Sequence, residues 1–262
     1  MATDAELLTA RIVFRAVLPV IKVLLEDDPK IKAKFDNVNG TVLIAADDEK
    51  EDVAAYLEFK DGAFEVVPGR VDNPDITLAF SSVGKMNDMF AGKPVLPKSG
   101  PMLANLRRPG LFAKVMGLLI TMKMLQPDAQ PRDEHQARLK IKMTLYMITT
   151  ALSQLNKAGD PEMVKWTTKQ PERIYQWSCE PEGIAAYLKI KAGKSKAGRG
   201  YYTRRKPFVH MKFHGADGAL PVLSNSVDFV EAISKGMITV DGPPEYAAGI
   251  GNFMVRIASM LS

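Results

Sequence analysis

VAAYLEFKDG at residues 53–62 and IAAYLKIKAG at residues 184–193 decide how this chain is read. Six of the ten positions are identical at an offset of 131 residues, a density that chance rarely supplies. The match extends outward. Asp28-Pro29 pairs with Asp160-Pro161, PDITLAF (74–80) with PFVHMKF (207–213), and Gly100-Pro101 with Gly242-Pro243. A duplication of this kind organises a sequence before any single motif does. The expectation is two domains, residues 1–125 and 133–262, joined by a proline-rich, charged linker at 126–132.

Each copy opens with a helix. Thr3 and Glu6 form a capping-box pattern ahead of Leu7, Leu8, Ile12, Val13, Val17, Ile21, Leu24 and Leu25, which follow a 3.6-residue period. Asp133 and Gln136 stand the same way before Ile141, Leu145, Ile148, Leu152 and Leu155. After the Asp-Pro break the period becomes two, and strands are expected at Val42–Ala45, Ala55–Phe59, Phe64–Val67 and Ile76–Phe80, consecutive and antiparallel, with a turn at Asp61-Gly62. A helix then returns through Met86, Met89 and Phe90, or Phe229, Val230 and Ile233, stopped by Gly92 and Gly236. Apolar helices close both copies.

This order resembles the sterol carrier protein type two family, in which a Pro-Asp strand such as PDITLAF leads through an amphipathic helix to a Gly-bounded strand such as GMITVDG (236–242). The resemblance implies an α+β fold in two tandem copies, each a mainly antiparallel twisted sheet covered on one face by helices. It also implies an apolar cavity for a fatty acid, an acyl chain or a sterol-like lipid. The first copy departs from the pattern. VLPKSGPMLANLRRPG holds Pro97, Pro101 and Pro109 where the last strand belongs, and proline donates no ladder hydrogen bond. A first sheet one strand short, or an open cavity, is expected.

Burial of a sixteen-carbon tail would gross about 13 kcal/mol, at roughly 0.8 kcal/mol per methylene, before ordering costs. Such a site needs flexible apolar walls, and methionine suits them. By helical face the expected walls are Met86, Met89, Phe90, Phe112, Val115, Met116 and Leu119 in the first copy. In the second they are Phe229, Ile233, Phe253, Met254 and Ile257.

Net charge is +5, and the excess concentrates in KAGKSKAGRGYYTRRK (191–206), which holds seven Lys or Arg residues and no acid. Lys194, Lys196, Arg199, Arg204 and Arg205 are the expected contacts to an anionic headgroup, acyl-CoA phosphates or an anionic membrane surface, with nucleic acid the less favoured partner. The aligned stretch of the first copy is not basic.

Other signals point away from chemistry. Gly193-Lys194-Ser195 lacks the glycine that a phosphate loop needs five residues earlier, where Leu188 stands. His210 and His214, four apart on a strand, lie roughly 13 Å apart, too far to share a zinc ion. Cys179 is the only cysteine, so no intrachain disulfide forms and a reducing compartment is expected. Leu111–Leu125 is shorter than a bilayer span and carries Lys114 and Lys123. With acids from Asp4 onward, no secretory signal is expected, and cytoplasm is the expected location. The combined expectation is a carrier of hydrophobic ligands without catalysis, metal or cofactor. The alternatives are a ligand-free interaction module, an accessory protein holding acyl-CoA or anionic lipid at 191–206, or an enzyme acting on a lipid or acyl-CoA with that loop as its phosphate clamp.

Overall fold

The computed structural model describes residues 1–48 and 52–262. The chain divides into two compact units, Met1–Lys123 with Leu261–Ser262, and Met124–Met260.

In the first unit, α1 (Asp4–Ile12) begins at Thr3, whose hydroxyl accepts the Glu6 N–H while the Glu6 carboxylate accepts the Thr3 N–H. The apolar period continues to Leu25, but the α-helix does not. Pro19 lacks an N–H and its ring collides with the carbonyl four residues back. The chain therefore passes through a π turn at Val13–Val17 and a 3-10 turn at Leu18–Val20 before α2 (Ile21–Asp27). Asp28 caps α3 (Pro29–Phe35) by accepting the Lys30 and Ile31 N–H groups, with Pro29 at a position whose N–H is not needed.

The sheet consists of β1 (Gly40–Ala46), β2 (Val53–Lys60), β3 (Ala63–Pro68) and β4 (Ile76–Phe80) in the order β3-β2-β1-β4. Asp61 and Gly62 take positive φ of 49° and 78°, the conformation that a tight hairpin turn requires. The expectation of consecutive antiparallel strands fails at β4, which pairs with β1 in parallel. From β3 the chain must cross two strands to reach the far edge, about 14 Å at three inter-strand spacings. Residues 69–75 reach about 23 Å when extended, so a short crossing suffices. Its far end is tied by Asp75, whose carboxylate accepts the Thr41 N–H at 2.8 Å and binds Arg108.

Beyond α4 (Val83–Phe90), the outer edge of β4 meets no fifth strand among the described residues. Residues 98–105, including α5 (Ser99–Ala104), lie along it before α6 (Pro109–Thr121). The Asn105 side chain, 2% exposed, accepts the Thr77 N–H at 2.8 Å and donates to the Thr77 carbonyl at 2.9 Å. One carboxamide thus makes the two bonds that a neighbouring strand would have made.

The second unit begins with α7 (Glu134–Lys157), capped by Asp133 through the Gln136 N–H, and α8 (Pro161–Thr168), capped by Asp160. Residues 126–132, expected as a linker, belong to this unit, and the buried Lys140 donates to the carbonyls of Gln126 and Ala129 at 2.9 and 2.5 Å. The sheet follows with β5 (Arg173–Glu180), β6 (Ile184–Lys191), β7 (Lys194–Arg199), β8 (Val209–His214) and β9 (Ile238–Asp241) in the order β7-β6-β5-β8-β9. Here too one pairing is parallel, β5 with β8. α9 (Gly215–Leu223) and α10 (Phe229–Ser234) separate β8 from β9, and α11 (Pro244–Met260) ends the unit.

Strand alternation sends Tyr175, Trp177 and Cys179 to one face, with Leu188, Ala186 and Ile184 opposite them. α7, α8 and α11 cover this face. Trp166 of α8 stacks on Tyr175 at 5.3 Å and on Phe253 of α11 at 5.6 Å, and Tyr175 and Trp177 are wholly buried. Gln176, Ser178, Tyr187, Lys189, His210 and Lys212 occupy the other face. No helix of the described residues is long and apolar enough to cross a membrane.

Replacing Asn105 with alanine leaves the Thr77 N–H and carbonyl without partners. A loss of about 2–3 kcal/mol in the first unit is expected, read as a lower urea midpoint.

Candidate functional site

The second unit holds a cleft of about 730 Å³ where β5, β8 and β9 come together. Parallel pairing is what builds it. Because β5 and β8 run the same way, Pro171-Glu172-Arg173-Ile174 and Arg205-Lys206-Pro207-Phe208 arrive side by side, with Asp241-Gly242 closing the end. Gly242 has φ of 117°, and a Cβ there would come within 2.3 Å of the Phe208 carbonyl oxygen, so only glycine permits the closure.

The segment after β7 is held over the sheet by Gln176, 1% exposed. Its carboxamide donates to Ala186 O at 2.8 Å and Gly200 O at 3.3 Å, and accepts the Tyr202 N–H at 2.9 Å. Tyr202 meets Tyr187 edge-on at 5.0 Å. Thus anchored, the chain continues through Arg204 to Lys206 along the cleft rim.

Four cations line the cleft, Arg173, Arg205, Lys206 and Lys212, against two carboxylates, Glu172 and Asp241. Both carboxylates are engaged. Glu172 binds Arg205 at 2.8 Å, Lys189 at 3.1 Å and Lys191 at 3.4 Å, and the Lys189 hydrogen bond leads in holding its pKa below the ordinary range. Asp241 binds Lys212 at 2.6 Å, which likewise lowers its pKa. The Arg173 guanidinium lies 4.0 Å from the Phe208 ring centre and 4.2 Å from that of Tyr246, and its Nη1 is buried with no hydrogen-bond partner. Ile174, Phe208, Pro171 and Pro207 supply apolar surface. The result is a cleft with apolar surface and a cationic excess, suited to an anion attached to an apolar body.

His210 adds a titratable group. Its Nε2 lies 2.8 Å from Ser178 Oγ, and burial leads in lowering its pKa, seconded by Lys212 and opposed by Asp241. Cys179 is buried, and burial leads in raising its thiol pKa to about 12, with Glu182 adding to the shift.

The expected wall residues lie elsewhere. In the first unit Met86 and Val115 are fully buried, while Met89, Phe90, Phe112, Met116 and Leu119 are half-buried. In the second, Phe253 and Ile257 are buried, Phe229 and Met254 half-buried, and Ile233 is exposed on α10. None of them lines the cleft, nor a smaller cavity of about 180 Å³ in the first unit beside Phe35, Val38 and Phe59. Of the expected headgroup residues, Arg205 lines the cleft. Lys194 and Lys196 lie on the Gln176 face, whereas Arg199 points to the opposite face, 4.9 Å from the Tyr146 ring centre of α7. Arg173, Lys206, Phe208 and Lys212 were not singled out in the sequence. The available signal was PERI and KPFVHMK, two segments at strand starts, and it becomes legible only once the strands are known to be parallel.

No family model matches the chain, and no curated protein matches it. Among solved structures, palmitated sterol carrier protein 2-like 2 from Aedes aegypti is similar at 17% identity over 41% of this chain and 90% of that one, with a TM-score of 0.30. A crystal structure of sterol carrier protein 2-like 2 from the same mosquito gives 17%, 43%, 97% and 0.30 for the same measures. The inverting sec-alkylsulfatase Pisa1 from Pseudomonas sp. is similar at 14% identity over 58% of this chain and 28% of that one, with a TM-score of 0.27. That last match corrects one expectation. More than half of the chain resembles part of an enzyme, so the absence of catalysis inferred from the sequence is withdrawn.

Two outcomes follow from this geometry. Gln176→Leu leaves the Tyr202 N–H unpaired and frees the crossing segment, so trypsin should cut after Arg204 or Arg205 faster than in the parent, with a stability loss of about 2–3 kcal/mol. His210 binds its proton less readily folded than unfolded, so its contribution is fully present above the unfolded imidazole pKa of 6.5 and is lost as pH falls toward the folded value. Urea midpoints should therefore drop less between pH 7 and 5 in His210→Gln than in the parent.

Proposed function

We propose that the protein binds a hydrophobic ligand carrying an anionic head, a fatty acid or other acyl chain, in the cleft of its second unit. The observation that carries this reading is the excess of cations over paired carboxylates above an apolar floor, with Arg173 Nη1 buried and unpartnered. A carboxylate there would meet Arg205, Lys206 or Lys212 at the lining, and a charge-assisted hydrogen bond is worth about 1.5–3 kcal/mol. The volume lies in the range of small-molecule sites.

We also infer that the two units are copies of one module. Support comes from the shared strand order, each sheet having one parallel pair reached by a crossing segment. β2 and β6 also bury the same positions along their length. The copies differ at the crossing. In the first unit it covers the apolar cluster Leu43, Ala45 and Ala54 with Val71. In the second it covers polar Gln176 and Tyr187 and leaves the cleft at its end.

A second reading, a module that binds a partner through apolar surface, draws on Val230 and Ile233, 76% and 44% exposed on α10. Light scattering separates it from the first by showing a stable complex or dimer.

The test of the first reading compares a long-chain carboxylate with the alcohol of the same chain, both displacing a fluorescent fatty acid from the full chain. The carboxylate should bind roughly 10- to 100-fold tighter, and Arg173→Met should remove most of the difference. Equal binding of the two, or no displacement by either, contradicts the proposal.

A further inference from the structure

The helix-free face of the second sheet carries a charge arrangement that the cleft does not account for. The β6–β7 register sets Lys189 directly opposite Lys196 and Lys191 directly opposite Lys194. All four point to the face of Gln176 and Tyr187. Like charges directly opposite on an antiparallel pair destabilise it, and two such pairs in succession double that cost. Lysines on an edge strand do discourage pairing with a second chain, which covers Lys194 and Lys196 on β7. It does not cover Lys189 and Lys191, which lie on the inner strand β6.

Internal neutralisation is incomplete. Glu172 is the carboxylate in ionic contact with this cluster, and it serves Lys189, Lys191 and Arg205 together. Lys194 and Lys196 make no ion pair among the described residues. Arg205 and Lys206 join from the crossing segment, held on this side by Gln176.

Aromatic rings lie among the charges. A Cβ at Gly198 would sit 2.1 Å from Tyr187 Cζ, so glycine there lets the Tyr187 ring lie down over β7. Tyr202 meets that ring edge-on, and Tyr201, 43% exposed, donates its hydroxyl to Glu180. The aromatics thus contact one another or are tethered, which leaves little free ring for stacking with nucleic-acid bases. Lysine predominates over arginine, and compact ammonium groups spread along two strands match a diffuse field of anionic headgroups better than one phosphate taken in a bidentate grip. Tyrosines partly exposed among lysines suit the headgroup layer.

We propose that this face docks on the surface of an anionic phospholipid bilayer through Lys189, Lys191, Lys194, Lys196, Arg205 and Lys206. The cleft rim shares Arg205 and Lys206 with the face, so docking brings its mouth toward the membrane. Docking does not require the cleft to be filled and stands or falls separately from ligand binding.

The experiment is sedimentation of the full chain with vesicles of phosphatidylcholine alone or mixed with phosphatidylserine. Association should require phosphatidylserine and fall steeply with added salt. At about 1 kcal/mol per near-surface cation, the Lys194→Gln/Lys196→Gln double variant should bind these vesicles about 30-fold more weakly. The control Lys157→Gln/Lys165→Gln removes the same charge from α7 and α8 on the covered face and should bind as the parent does. An unchanged urea midpoint of the face variant would show that its fold is intact. Equal binding to neutral vesicles, equal loss in the control, or association with single-stranded oligonucleotides but not with vesicles would each overturn the proposal.

Discussion

A single buried carboxamide holds the second unit in the form on which its candidate site depends. Gln176 sits at the centre of β5 on the face without helices, where a strand residue has no helix to pack against. Its amide bonds fasten β6 and the crossing segment to each other. Only with that segment in place does β8 enter beside β5 in parallel, and only parallel entry puts Arg173 and Ile174 next to Lys206 and Phe208. The position is sensitive because the groups it satisfies are shielded from water, where a lost partner costs far more than a hydrogen bond contributes on average.

The two faces of each sheet answer to different physics. The helix-covered face of the second unit is conventional core: Tyr175, Trp177, Leu188 and Phe213 are closely packed and excluded from water. Its opposite face is a polar surface on which charge is deliberate in the sense that register, not chance exposure, aligns the lysines. In the first unit the matching part of that side is the apolar cluster Leu43, Ala45 and Ala54, packed by Tyr56 and Val71. A change from alanine and leucine to glutamine, serine and lysine at alternate strand positions converts a closed surface into one able to meet an ionic partner without disturbing the core behind it.

Much of the architecture was legible in the residues. The caps at Thr3 and Asp133, the turn at Asp61-Gly62 and the stops at Gly92 and Gly236 are local, and local rules read them correctly. The prolines at 97, 101 and 109 rightly argued against a last strand in the first unit, although nothing in the sequence pointed to Asn105 as its substitute. Strand partners are not local. Alternation tells which side of a strand is apolar, but not whether the next strand returns antiparallel or crosses over, and the cleft follows from that choice. The expected wall residues show a related limit. Helical period separates inward from outward positions, yet it does not say which inward side chains line a cavity, and α10 leaves Ile233 exposed.

The central claim is that the ligand site of this protein is the cationic cleft between β5 and β8. Heteronuclear NMR of the full chain titrated with a long-chain carboxylate tests it most directly. Resonances of Arg173, Ile174, Phe208 and Gly242 should move together and saturate at one equivalent per chain. Shifts centred instead on Met86, Val115 and Met116 in α4 and α6, with the cleft unmoved, would contradict it.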